Sequence, residues 1–172
     1  MRPPAQGTPI QVRFLCDPRA YRGRLLTGEG AGTAVHAGTF LRKREIVLDA
    51  ALLAIPNELG RILVHELFHF IWIRLGNPQR RSYEDLLAAE IRQGARGELG
   101  WSAEWRKQTL STRDRRERSR RWREYAAESF CDTAAWLFGS VRRHNEFTLA
   151  SEFRRRRRLW FRHVEGLTRI SV

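Results

Sequence analysis

In the stretch Ile62 to Ile73 (ILVHELFHFIWI) the only strongly polar side chains are His65, Glu66 and His69. It lies inside a longer segment, Asn57 to Leu75, whose apolar positions follow a helical pattern. Pro56 stands before a candidate Asn57 cap, Glu58 falls in the first turn, and Gly76 with Pro78 supplies a stop, so the pattern predicts a helix over that span. Upstream, Gln11 to Leu15 (QVRFL) alternates apolar with polar and predicts a strand. Thr39-Phe40 and Glu45 to Asp49 (EIVLD) predict two more, flanking the basic turn Arg42-Lys43-Arg44 as a hairpin. Between Tyr21 and Gly38, repeated glycines and few large apolar residues predict a loop. Downstream, Ser82 to Gln93 predicts a helix capped by Ser82, with Asp85 three residues on. Gly94 to Gly100 breaks it, and Arg115 to Phe138 reads as one long helix. A final helix is expected from about Thr148 to Leu167, with Leu149, Phe153, Trp160, Val164 and Leu167 on one face. No internal repeat is visible.

These elements describe an α+β chain. A small antiparallel or mixed sheet from the first fifty residues would pack on the helix carrying His65 and His69 and on a second helix carrying Glu128, with a mostly helical C-terminal half. The 172 residues suit one domain, 1–172, with residues 1–9 flexible and 77–115 an Arg-rich insert. A hydrophobic share of 42% is enough for a real core and excludes a disordered chain. Met1 to Pro9 lacks the apolar region of a secretion signal, no apolar run reaches membrane-spanning length, and two cysteines, Cys16 and Cys131, are too few for a disulfide framework. The expectation is a cytoplasmic protein without a membrane span.

The polar residues in the apolar stretch carry the chemistry. On a helix His65 and His69 stack on one face, where two imidazoles can bind one cation. Glu66 is rotated by about 100° from His65, within reach of a water beside that cation without being a ligand itself. This is the His-Glu-x-x-His arrangement of zinc hydrolases. Burying two imidazoles and a carboxylate among so many apolar groups costs several kcal/mol unless something compensates, and a divalent metal does so.

A catalytic zinc needs a third protein ligand. Trp72 and Leu75 occupy the places where an extended His-Glu-x-x-His-x-x-Gly-x-x-His motif would need Gly and His. The remaining candidates are His36, His144 and His163 and the carboxylates Glu124 and Glu128; the Cys131 thiolate could also bind the metal or replace its water, giving a latent enzyme, against the simpler account of a buried inert cysteine. Glu128 and Asp132 are four apart on a predicted helix, so one can bind metal while the other orients a histidine through its second ring nitrogen. The competing account makes Glu124, Glu128 and Asp132 ordinary helix partners of nearby arginines such as Arg121 and Arg123.

The pair His65-Glu66-Leu67-Phe68-His69 and Glu128-Ser129-Phe130-Cys131-Asp132 resembles the gluzincin metallopeptidases, in which His-Glu-x-x-His is followed by Glu-x-x-x-Asp. The stretch from Gly38 to Asp49, followed by the motif helix, resembles the small bacterial regulatory peptidases and minimal gluzincins. That resemblance implies a compact α/β, zincin-like fold with an edge strand above the zinc, against which a peptide lies extended. It also implies Zn²⁺ held by His65, His69 and Glu128, with Glu66 as general base and Asp132 orienting His65. No residue matches the His or Tyr that stabilises the oxyanion in larger relatives, leaving Tyr125, His144 and His36 as candidates. Residues 70–127, between the two motifs, are long and Arg-rich for so small a peptidase.

Charge adds a rival. Lys plus Arg number 32 against 19 Asp plus Glu, a formal +13, and only Lys43 and Lys107 are lysines. Arg154 to Arg158 form an unbroken run, and Arg115 to Arg123 hold more around Trp122. Arginines pair with phosphate and stack on bases, so nucleic acid is a conceivable partner beside a protein or peptide substrate. The alternatives to a zinc metallopeptidase are a basic nucleic-acid-binding protein with a structural metal site, or a protease acting on DNA-bound proteins.

Overall fold

The computed structural model describes residues 9–28 and 30–164. Residues 1–8 of the expected flexible start, and Leu167 of the expected last helix, lie outside the described residues.

Strands β1 (Gln11–Leu15), β5 (Ala37–Phe40) and β6 (Glu45–Asp49) form a sheet in the order β1-β6-β5, with β1 parallel and β5 antiparallel to β6. The central strand carries the continuous apolar run Ile46-Val47-Leu48, buried on both faces as such runs demand. The hairpin turns through a short 3-10 segment, Leu41–Lys43, and closes on Arg44 in the left-handed region.

The expected loop 21–38 is a correction. It contributes to a second small sheet, β2 (Arg19–Tyr21), β3 (Arg24–Leu26) and β4 (Thr33–Ala34), in the order β3-β2-β4. Arg22 and Gly23, both at positive φ, make the two-residue turn that suits a hairpin between β2 and β3. Strands of two or three half-exposed residues are too short to leave an alternating signature.

Among the described residues six helices follow: α1 (Pro56–Arg74), α2 (Asn77–Arg92), α3 (Trp101–Gln108), α4 (Thr112–Glu117), α5 (Arg120–Phe138) and α6 (Ser151–His163). Helix α1 starts with Pro56 inside its first turn and Ile55 at the cap position, so Asn57 is not the cap. Pro78 begins α2 instead of merely ending α1, and Ser82 is an interior residue whose hydroxyl accepts from the Trp160 indole at 3.0 Å. The single helix expected over 115–138 is two. Arg118 adopts a left-handed conformation and binds Glu84 and Asp85, and Ser119 caps the restart by accepting from the Trp122 amide at 3.3 Å. The last helix begins at Ser151 instead of Thr148.

Helix α1 is apolar nearly all round because it is covered on two sides. Ile62 and Phe70 meet Ile46, Leu48 and Leu52 on the sheet side. Phe68, Ile71 and Trp72 meet Tyr83 of α2, Phe130 of α5 and Phe161 of α6 on the other. The segment 77–115 is therefore no appendage: Tyr83 and Leu87 are fully buried in the main core. Among the described residues, no helix is long and apolar enough to cross a membrane.

Candidate metal centre and cleft

The polar face of α1 opens on a cleft of about 950 Å³, lined by β5 and the chain leading into it, by α1, by α3 and by α5. His65 and His69 stand one turn apart there, with ring centroids 5.0 Å apart and planes at 74°. Helix α5 packs against α1 and brings Glu128 and Asp132 to the same place.

His65 is held at both nitrogens. Its Nδ1 lies 2.8 Å from Asp132 Oδ1, and its Nε2 faces Glu128 Oε2 at 3.4 Å. Burial opposes a charged His65, but the carboxylates of Asp132, Glu128 and Glu66 outweigh it and hold the imidazole pKa well above its ordinary value. His69 behaves oppositely: burial, then the neighbouring His65, push its pKa down. It makes no hydrogen bond among the described residues and lines the cleft.

The carboxylates are fixed from α3 and β5. Ser102 Oγ donates to Glu128 Oε2 at 2.6 Å, and Arg106 Nη2 lies 3.4 Å from Oε1. Against the cost of its burial, the contact with His65, the nearby His69 and Arg106 hold the Glu128 carboxyl well below the usual range. The Ala103 amide, one of the donors that a helix start leaves free, gives a 3.2 Å bond to Asp132 Oδ2. Thr39 Oγ on β5 donates to Glu66 Oε2 at 2.6 Å.

These donors fit a divalent cation. Glu128 Oε2 and His65 Nε2 face each other at 3.4 Å, a gap bridged either by a proton on Nε2 or by a cation in its place. In a tetrahedral site with Zn–N and Zn–O arms of about 2.0–2.2 Å, two ligand atoms lie about 3.4 Å apart, as these do. Cys131 offers a different third donor. One ligand atom from each of His65, His69 and Cys131 lies within 4.8 Å of the others, so these three could hold a metal, and Glu128 is not in that set. Cys131, however, is fully buried in the aromatic core and does not line the cleft. Burial, and then Glu128, Asp132 and Glu66, push its thiol pKa far up.

Other sequence candidates fall elsewhere. Tyr125 is completely buried, donates to Glu98 Oε1 at 2.6 Å and does not line the cleft. His144 packs against Phe147 with Nε2 3.4 Å from Glu58, outside the residues that line the cleft. His163 sits at the end of α6 against the Leu159 carbonyl. Glu124 is an exposed partner of Arg120 at 2.7 Å, the ordinary helix pair that Glu128 is not. Only His36, of the oxyanion candidates, lines the cleft.

Sequence reasoning missed α3. Trp101 and Trp105, 66% and 51% exposed, lie on this wall with their rings 6.3 Å apart and 12° from parallel. Their spacing of four residues was the available signal. Strand β5 supplies another wall. His36 C=O accepts from the Asp49 amide at 2.8 Å. Antiparallel alternation then pairs Gly38 and Phe40 with β6 and turns the backbone groups of Ala37 and Thr39 to the free edge. None of the protein-family models, curated proteins or solved structures compared with this chain matches it.

Proposed function

We propose that the chain is a zinc-dependent metallopeptidase of gluzincin type with a zincin-like fold, holding Zn²⁺ through His65, His69 and Glu128. The observation that carries this reading is His65 itself: Asp132 occupies Nδ1, and Nε2 points at Glu128 across the span of one metal site. A metal bound there supplies Lewis-acid polarisation of a carbonyl and a more acidic water. The protein's own groups do the rest. Asp132 fixes the tautomer and plane of His65, so its Nε2 lone pair faces the site. Thr39 holds the Glu66 carboxylate at the cleft wall, where Glu66 takes the proton of the attacking water and delivers it to the leaving amine. The free edge of β5 offers backbone donors and acceptors to an extended peptide, and the paired indoles of α3 receive its side chains.

Elemental analysis of the wild type and of His69→Ala, Glu128→Ala and Cys131→Ala tests the site. The expected result is one zinc per chain, lost in the first two variants and kept in the third. Hydrolysis of an unstructured protein substrate should disappear in Glu66→Gln with zinc retained. Zinc kept by Glu128→Ala and lost from Cys131→Ala would hand the third position to the thiol, and no metal under any loading would end the reading.

A further inference from the structure

A second cavity, about 540 Å³, lies where the last turn of α5 and the chain after it meet α6. It shares no lining residue with the cleft beside α1. Arg142, Arg154, Arg158 and Arg162 line it together with Trp136 and Phe161, and among the described residues no Asp or Glu does. Arg154, Arg158 and Arg162 recur every four residues, so they rise along one face of α6 at steps of about 6 Å. Arg154 is anchored by donating to the carbonyls of Phe147 and Leu149, each at 2.5 Å. The Arg158 guanidinium lies over the Trp136 ring, 4.7 Å from its centroid. Arg142, Arg158 and Arg162 make no hydrogen bond or ion pair among the described residues.

Elsewhere the fold answers its structural arginines with carboxylates: Arg61 with Glu58 and Glu146, Arg118 with Glu84 and Asp85, Arg157 with Glu90 and Glu98. Around this cavity it gathers four guanidinium groups and, among the described residues, no carboxylate. Like charges gathered on one concavity raise its positive potential and favour an anion there. We propose that this cavity is a binding site for phosphate groups, borne either by a nucleic-acid backbone or by a small polyphosphate. The choice of anion follows from shape. A carboxylate presents two coplanar oxygens and suits one guanidinium fork, whereas a phosphate presents oxygens in several directions and can accept from arginines arriving from two elements. The steps along α6 are comparable with the spacing of successive phosphates on a chain.

Two probes separate the sources: inorganic tripolyphosphate by calorimetry, and a fluorescein-labelled oligothymidylate by anisotropy over a range of salt. The full chain is compared with Arg158→Gln/Arg162→Gln and with Arg113→Gln/Arg116→Gln, which removes the same charge from exposed positions on α4. The cavity variant should lose tenfold or more in affinity for at least one probe, while the α4 variant changes less than twofold and both melt as the wild type does. Loss for the oligonucleotide, with its log–log salt slope reduced by about 1 to 1.5, assigns a nucleic-acid backbone. Loss for tripolyphosphate alone assigns a small ligand. Equal losses in the two variants, no binding of either probe, or equally tight and equally sensitive binding of polyglutamate would overturn the proposal.

Discussion

The Gly100 backbone approaches the Asp132 carboxylate so closely that a Cβ on Gly100 would stand 2.5 Å from Oδ2 and nearer still to the rest of the group. Gly100 has extended backbone angles that any residue adopts, so the requirement for glycine is one of space alone. Asp132 is the residue that grips His65 Nδ1, and it also takes the Ala103 amide. A methyl group at position 100 must therefore push the carboxylate off one or both. Gly100→Ala should weaken metal binding by about 10- to 100-fold, the usual cost of disturbing the partner of a liganding histidine. Chelator competition reads this directly. Asp132→Asn should fall in the same range, and unchanged affinity in Gly100→Ala would show that Asp132 does not set the site.

Thr39 joins the sheet to the motif helix through one hydroxyl. It donates to Glu66 Oε2 at 2.6 Å and approaches the Glu66 carbonyl at 3.3 Å. Thr39→Val keeps the shape of a strand residue and removes the donor. A hydrogen bond to a charged group contributes about 1.5–3 kcal/mol, so kcat/KM for peptide hydrolysis should drop by roughly 10- to 100-fold, with zinc content unchanged. Thr39→Ser should recover most of the loss. Zinc falling together with activity would instead make Thr39 part of the metal scaffold.

Arg157 is the buried member of the arginine run. Its guanidinium meets Glu90 Oε2 at 2.8 Å and Glu98 Oε2 at 2.6 Å, and all three side chains are almost wholly inaccessible. Glu98 also takes the Tyr125 hydroxyl and lies 3.2 Å from Lys107 Nζ. Removing one partner strands charge in the interior, so Arg157→Ala should cost about 3–5 kcal/mol in urea unfolding. The exposed neighbour Arg155→Ala should stay within about 0.5 kcal/mol. Similar effects from the two would mean that water reaches the network.

The contrast between Arg155 and Arg157 shows where the sequence was legible. Read by composition, Arg154 to Arg158 is a solvated or nucleic-acid-binding face. Read by helical phase, Phe153, Arg157 and Phe161 share one buried stripe, while Arg154, Arg158 and Arg162 form the next. The His65-Glu66-His69 group and the Glu128–Asp132 pair were readable because polar residues in an apolar helix, or carboxylates one turn apart, are distinctive without any tertiary information. Helix α3 was not. Its exposed tryptophans and its single arginine, Arg106, look like a free surface until the fold lays them along the cleft. Pro78 was misread for a local reason: proline after a helix end also serves as the first-turn residue of the next helix.

Asp114 ties the start of α4 to the start of α5. Its Oδ2 accepts from the Ser111 hydroxyl at 2.6 Å and the Ser111 amide at 3.0 Å, and its Oδ1 accepts from the Ser119 hydroxyl at 2.6 Å. The Ser111 and Ser119 hydroxyls, both bonded to the ionised form, lower its pKa to about 2 from an ordinary 3.8. A carboxylate with a depressed folded pKa adds stability that is complete above its unfolded pKa and disappears as pH falls through its folded one. The contribution should thus be constant above about pH 5 and fade between 3.8 and about 2. An NMR titration of the Asp114 carboxyl carbon should give a midpoint near the lower figure. The stability difference between wild type and Asp114→Ala should shrink across the same window, because protonation removes in the wild type what the alanine lacks at every pH. A difference that stays flat from pH 5 to pH 2 would show that the two serines hold the junction without the charge.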